Sequence, residues 1–232
     1  MIGAWLPTVS GKFVDVVNLK PEDINVYDIA WSLSNTNRYN GHTSVPWDVL
    51  SHTGLAYQLY VRDTAGQTNK VTSVALLLHD ASEAYLGDII GLLKHTPIFD
   101  GYRELEKRVT YLIFKRFGID ADMVDWDMVD RYDKQATHVE IETLYAGRDN
   151  MVGVTPAQYP MLGRYPTLVK AQVNDFVDFL KQMLTGSPVN ISEAFEMSDM
   201  MSRLLKQVPE PKVEPMSRVE AVDNSDVENM TV

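Results

Sequence analysis

Residues 74–94 read Val74-Ala75-Leu76-Leu77-Leu78-His79-Asp80-Ala81-Ser82-Glu83-Ala84-Tyr85-Leu86-Gly87-Asp88-Ile89-Ile90-Gly91-Leu92-Leu93-Lys94. An apolar helical run leads into an adjacent His–Asp pair, Glu83 follows one helical turn later, and Gly87 and Asp88 come next. Imidazole beside carboxylate suits a divalent cation. Burying the pair at the end of an apolar helix is costly unless a cation or hydrogen bonds compensate. The stretch therefore predicts a helical protein organised around a metal centre.

On the N-terminal side, Asn69 or Thr72 is placed to cap that helix, after a turn at 63–68. Pro46 is placed to open an earlier helix from Trp47 to about Arg62, with Leu50, Leu55, Leu59 and Tyr60 on its apolar positions and His52 within it. Pro21-Glu22-Asp23 resembles a helix start, and Val26, Ile29, Ala30 and Leu33 mark an apolar face ending near Ser34-Asn35. Between these two helices lies a polar loop, Asn37-Arg38-Tyr39-Asn40-Gly41-His42-Thr43. Residues 5–20 read as an arm with hairpin content.

On the C-terminal side, Gly87 and Gly91 interrupt helix around Asp88. An amphipathic helix is expected over Phe99–Phe117, with Leu105, Val109, Leu112, Ile113 and Phe114 inward and Gly118 at its C-cap. Another is expected from Met123 to about Arg148, carrying Asp133 and Glu140. Prolines and glycines make 149–168 an extended loop, with helices returning at about Leu168–Leu184 and Ser192–Leu205. Beyond Val208, prolines and acids leave little to bury, which predicts a flexible tail. The expected fold is all-α: an arm at 1–20, a helical-bundle core at 21–150, a helical extension at 151–207 and an acidic tail at 208–232.

Composition narrows the function. The 232 residues carry a net charge of −11, which argues against binding polymeric nucleic acid. No apolar run approaches the ~20 residues of a membrane helix, and the N-terminus lacks the pattern of a signal peptide. Cytoplasmic residence is the default expectation. Without cysteine, any metal must sit on His, Asp and Glu.

Four residues then form one candidate metal site: His52, His79, Asp80 and Asp133. Only His79-Asp80 is local, so a bundle core would have to gather the rest. Asp130 competes with Asp133 at helical spacing, and His42 with His52. Such a cation would lower the pKa of bound water and polarise a phosphoryl oxygen. Glu83, four residues after His79, could orient water or relay a proton from the same helix face, and Asp88 could do so from the loop. Arg38 and Lys94 are candidate phosphate clamps, Arg38 with bidentate geometry and Lys94 as a point charge. Tyr39 and Trp5 could stack on a base, and His42 could line a nucleotide pocket or cap a turn. Each has a plainer alternative: a capped helix end for His79-Asp80, a loop tether for Arg38, core or interface packing for the aromatics.

His52, then Leu77-Leu78-His79-Asp80-Ala81-Ser82-Glu83-Ala84-Tyr85-Leu86-Gly87-Asp88-Ile89, then Asp133, resembles the HD-domain metal-dependent phosphohydrolase superfamily, in its 5'-deoxynucleotidase-like branch. Gly11-Lys12-Phe13, Pro21-Glu22-Asp23-Ile24, Tyr27-Asp28-Ile29-Ala30, Arg38-Tyr39-Asn40-Gly41-His42 and Val49-Leu50-Ser51-His52 bring it nearest to phage dATP triphosphohydrolases of the DatZ type. The likeness covers roughly residues 5–148. It implies a helical HD fold, with His52, His79, Asp80 and Asp133 holding a divalent ion (zinc, manganese, cobalt or magnesium). It also implies Glu83 and Asp88 as water-activating and substrate-positioning acids, with Arg38 and Lys94 on phosphates. The implied reaction is hydrolysis of dATP to deoxyadenosine and triphosphate, in the host cytoplasm if the chain is phage-encoded. The alternatives are a 5'-deoxynucleotidase acting on dNMPs and a nucleotide-binding module without turnover. A homo-oligomer could form through residues 168–205 or the aromatic-rich arm.

Overall fold

The computed structural model describes residues 3–145 and 171–185. The expected loop at 149–168, the helix at Ser192–Leu205 and the acidic tail at 208–232 lie outside the described residues.

The described chain is mainly helical. Its only paired strands, among the described residues, are β1 (Trp5–Pro7) and β2 (Phe13–Asp15), an antiparallel hairpin with Leu6 opposite Val14. The hairpin content expected of the arm is present. Buried Asp28 fastens the arm to the first helix by accepting from the Ser10 backbone N–H and hydroxyl, both at 2.8 Å.

Helix ends differ from expectation wherever proline was taken as the start signal. Pro21–Asp23 is a separate 3₁₀ turn, and α1 (Val26–Asn35) starts after it, capped by Asn25. Similarly, α2 (Val49–Asp63) is capped by Asp48, whose carboxylate accepts from Ser51 N at 2.8 Å. In both places a side-chain oxygen satisfies an orphan N–H, which proline cannot do. Asn69 caps α3 (Lys70–Leu78), accepting from Val71 N and Thr72 N.

The apolar helix stops at Leu78 instead of running through His79. His79 turns its side chain back onto Leu76 O, and the chain proceeds in i→i+3 turns: Ala81 N to Leu78 O, Glu83 N to Asp80 O. With this tighter pitch Glu83 follows Asp80, not His79, by one turn. Then come α4 (Glu83–Leu86), a break at Gly87, and α5 (Gly91–Lys94), which Gly91 begins instead of breaking. The next helix, α6 (Asp100–Arg116), is closed by Gly118 at φ 72°. Met123 belongs to a 3₁₀ turn (Ala121–Met123), so α7 (Trp126–Leu144) starts later than its apolar pattern suggests. Finally, α8 (Val173–Thr185) buries Phe176, Val177, Leu180 and Met183. It packs on α1 and α3, so this part of the expected extension belongs to the same core as the helices before it.

The core runs through Ile29, Leu33, Leu50, Leu59, Leu76, Leu78, Ile113, Phe114 and Leu180, all fully buried. The tightest pairing is α2 against α7, with α3 on both, so polar side chains facing inward from these three helices must meet. No helix among the described residues is long and apolar enough to cross a membrane.

Asn69→Ala removes an acceptor for two helix-start N–H groups without opening a cavity. It is expected to lower the unfolding free energy by about 1 kcal/mol, seen as a reduced denaturant midpoint at unchanged slope.

Candidate metal centre

Three ligand-bearing side chains converge where α2, α3 and the 79–82 turn meet. Nitrogen or oxygen atoms of His52, His79 and Asp80 all lie within 4.8 Å of one another. Asp133, from α7, joins them: its Oδ1 is 2.9 Å from His52 Nε2 and 3.9 Å from His79 Nε2. The two competitors fall away. Asp130 is exposed and paired with Lys134 at 2.6 Å, and His42 is solvent-exposed with its backbone N–H closing a turn on Tyr39 O.

Both imidazoles are fixed so that Nε2 faces the carboxylates. His79 Nδ1 is 2.7 Å from Leu76 O, and because a carbonyl only accepts, Nδ1 carries the proton. His79 Nε2 then lies 3.2 Å from Asp80 Oδ2 without hydrogen-bond geometry, a buried polar atom lacking a partner. His52 Nδ1 donates to Glu140 Oε1 at 2.7 Å, leaving Nε2 toward Asp133 and, at 3.8 Å, Asp80. A second carboxylate holding the far side of a histidine is the usual support of a metal ligand. Two oriented nitrogens, two carboxylates and one orphaned nitrogen fit a divalent cation, and this donor set suits zinc, manganese, cobalt or magnesium.

Glu140 is a residue that the sequence reading left without a role. It is fully buried and accepts from His52 Nδ1 and Trp47 Nε1 on one oxygen and from Arg38 Nε and Tyr39 Oη on the other, at 2.7, 2.7, 3.0 and 2.7 Å. Its position seven residues after Asp133, on the same face of one helix, was the available signal. Burial would raise its pKa, but the His52 and Arg38 charges hold it down at about 2.

This network narrows two expected substrate contacts. The Arg38 guanidinium spends Nε on Glu140 and Nη2 on Thr137 at 3.2 Å, which leaves Nη1, 3.7 Å from Asp80 Oδ2, as the edge facing the centre. It is not open to bidentate contact. Tyr39 gives its hydroxyl to Glu140 and sets its ring edge-on to Tyr145, which buttresses the site. Trp5 is exposed on the hairpin.

On the other side of Asp80 the acids behave differently. Glu83 is buried, with Lys94 Nζ 3.5 Å from one oxygen and no hydrogen-bond partner for the other. Burial, then Asp80 and Asp88, push its pKa up to about 9. Asp88 is shifted up too, chiefly by burial. Asp80 moves the opposite way: burial resists its ionisation, but His79, His52 and Arg38 hold it well below the usual carboxylate range. Lys94 donates to Glu106 at 2.7 Å, which keeps it charged despite burial. A cavity of about 480 Å³ opens from His79 and Asp80 along Lys94 and the near face of α6.

No protein-family model matches the chain. It is 38% identical over 120 residues to an uncharacterized protein of Rhodobacter capsulatus, and 33% identical over 116 residues to the uncharacterized protein YfdR of Escherichia coli. These matches span 51% and 50% of this chain and 60% of the length of each relative.

Two outcomes follow. Glu140→Gln keeps every metal-facing atom but loses the negative charge behind His52, so divalent-ion affinity should fall by about 10–100-fold in a calorimetric titration. Glu140→Ala strands Arg38 and His52 and should cost about 3–5 kcal/mol of stability. The second outcome concerns pH. Burial lowers proton affinity at His79, but Asp80 and Asp133 raise its pKa from 6.5 to about 9. Its stabilising proton is fully bound below about 6.5 and lost as pH rises through about 9. Glu83, raised from 4.5 to about 9, acts in the same direction. Chelator-treated protein should therefore lose stability between pH 6.5 and 9, whereas a saturating divalent ion should reverse the slope, because ligands bind metal better once deprotonated. Parallel slopes with and without the ion would contradict this assignment.

Proposed function

We propose that this chain is a metal-dependent phosphohydrolase acting on deoxynucleotides, with dATP the favoured substrate and deoxyadenosine and triphosphate the products. The carrying observation is the placement of a protonatable, buried Glu83 one turn from Asp80, beside a His–His–Asp group that could hold a cation. The likeness to HD-domain phosphohydrolases supports the reading, and the choice of adenine rests on that likeness alone.

The residues divide the work by chemistry. His52, His79, Asp80 and Asp133 would hold the ion, which when bound supplies Lewis acidity toward a phosphoryl oxygen and a more acidic water. Glu83 has one carboxyl oxygen without a partner among the described residues, so that atom can take a hydrogen from water or hand one to the leaving oxygen. Its raised pKa suits a group that must carry a proton near neutrality. Asp88, close enough to share its field, can orient the attacking water or a substrate hydroxyl. Arg38 Nη1 and Lys94 Nζ offer positive charge to phosphate oxygens as negative charge grows there. Both are anchored from behind, by Glu140 and Glu106, which reduces the reorganisation they need.

The same machinery would also release phosphate from a dNMP. A module that only binds nucleotide would have no use for Glu83, whose burial is otherwise unfavourable.

Incubating the protein with each dNTP and dNMP, with and without chelator, tests the reading. Triphosphate and deoxyadenosine should appear from dATP, and chelator should stop the reaction; no hydrolysis of any nucleotide with metal present would end the enzyme assignment. His79→Ala and Asp80→Ala should lose both metal and turnover. Glu83→Ala should keep the metal and lose turnover, by about 100-fold or more; normal turnover would remove Glu83 from its role.

A further inference from the structure

The cavity beside the candidate metal centre carries two aromatic side chains that the proposed reaction does not use. Trp126, at the start of α7, and Tyr111, on α6, line it together with His79 and Asp80. Neither ring is withdrawn into the core: they are 37% and 38% exposed. Trp126 is nonetheless held in place. Its Nε1 donates to Ala121 O at 3.0 Å, and its indole lies tilted on fully buried Phe114, with ring centroids 5.4 Å apart. An aromatic ring fixed from behind yet exposed at a cavity is a rigid apolar surface, and little side-chain freedom is left to lose when a ligand lies on it.

The spacing comes from α7. Trp126, Asp133 and Glu140 recur every seven residues and so share one face of the helix. Glu140 supports His52, and Asp133 joins the cation-binding group. Trp126 stands two turns before Asp133, about 10 Å away along the axis. That separation leaves room for one sugar between a phosphorus at the centre and a flat ring on the indole. The cavity volume, about 480 Å³, lies within the usual range for small-ligand sites of roughly 300–1,000 Å³. The cations of the α6 wall are mostly spent: Lys94 on Glu106 and Glu83, Arg103 on Asp100 and the carbonyls of Lys94 and Thr96. The end away from His79 and Asp80 is therefore marked by aromatic faces and not by concentrated charge.

We propose that Trp126 and Tyr111 seat the planar ring of the ligand, which is the nucleobase of a nucleotide. The identity of the ring as a base rests on the phosphohydrolase reading; the pair adds a surface for the part of the ligand that the reaction leaves unchanged. With the ring on Trp126, the 5' end of the sugar points back along α7 toward Asp133. Every base has a π-face, so stacking of this kind tolerates any of them. The pair separates nucleosides from sugar phosphates that lack a ring, and it does not choose among bases.

The test is titration of the full chain, in excess Mg²⁺, with deoxyadenosine and with deoxyribose 5-phosphate, followed by calorimetry and by tryptophan emission. Wild type should bind deoxyadenosine with quenching of emission, and Tyr111→Ala should weaken that binding by about tenfold or more. Tyr111→Phe keeps the ring and should restore binding to within about threefold of wild type. Deoxyribose 5-phosphate should behave alike with wild type and Tyr111→Ala. Trp126→Phe should abolish the quench at saturating deoxyadenosine. Failure of wild type to bind deoxyadenosine, an unaffected Tyr111→Ala, an equal loss for deoxyribose 5-phosphate, no rescue by Tyr111→Phe, or a quench that survives Trp126→Phe each overturns the ring site. None of these measurements involves turnover. If deoxyadenosine binding depends on Tyr111 but no nucleotide is hydrolysed, the ring site stands and the enzyme reading falls. If dATP is hydrolysed with a KM that Tyr111→Ala leaves unchanged, the enzyme reading stands and the ring site falls.

Discussion

A single buried carboxylate, Glu140, holds the candidate centre together. An ionised side chain with no solvent exposure is tolerable only when its lone pairs are filled, and here four donors fill them. Three of these donors, Arg38, Tyr39 and Trp47, come from the segment between α1 and α2, and the fourth is His52 on α2. One charge on α7 therefore fixes an irregular loop and orients the imidazole of a metal-facing histidine. Backbone bonds add to this order: Arg38 N donates to Trp47 O at 2.9 Å, and Ser44 N donates to Leu144 O at 3.3 Å. Tyr39 and Asn40 both adopt positive φ, at 56° and 51°, a conformation that non-glycine residues rarely hold without external support. The bond from Tyr39 Oη to Glu140 is part of that support.

The same interaction shows what could and could not be read from sequence. His79-Asp80 was legible because its two residues are adjacent and follow an apolar helix. Helix existence was legible from periodicity for α1, α2, α3, α6, α7 and α8. Their starts were less so, because Pro21 and Pro46 drew attention from Asn25 and Asp48, the side chains that satisfy the helix-start N–H groups. Glu140 was hidden because its partners lie 88 to 102 residues away and none has a spacing of its own. Choosing between Asp130 and Asp133 also needed the packing of α2 on α7, since both look alike on one helix. Arg38 was read as a phosphate clamp from its charge, but its geometry is set by Glu140, which no local pattern encodes.

Around the centre, carboxylates of ordinary intrinsic acidity are driven apart by their surroundings. Asp80 sits among His79, His52 and Arg38 and stays ionised. Glu83, a turn away, is buried next to two other acids that Lys94 and Arg38 only partly offset, and retains its proton up to about 9. A bound cation near Asp80 would ease the repulsion on Glu83 and bring it closer to neutrality. Separating two nearby acids in this way would suit one to ligation and the other to carrying a proton. Neither role follows from residue type; both follow from what each carboxylate faces.

The link between those acids and α6 depends on backbone geometry at Gly87. Its φ of 80° with ψ of 158° falls in a region that is essentially restricted to glycine. A Cβ there would meet nothing within 4 Å, so the constraint is conformational and not steric crowding by neighbours. That dihedral pair turns the chain out of α4 and lets α5 return Lys94 to Glu83, while Gly87 O accepts from Tyr102 Oη on α6 at 3.0 Å. The turn thus joins α4 to α6 through one backbone carbonyl and one ammonium. Lys94 is in place only because the chain reverses there, and its place lets one ammonium face both Glu83 at 3.5 Å and Glu106 at 2.7 Å. Helix propensity alone would have carried α4 onward and set Lys94 elsewhere, so the glycine is part of the site although it contributes no side chain.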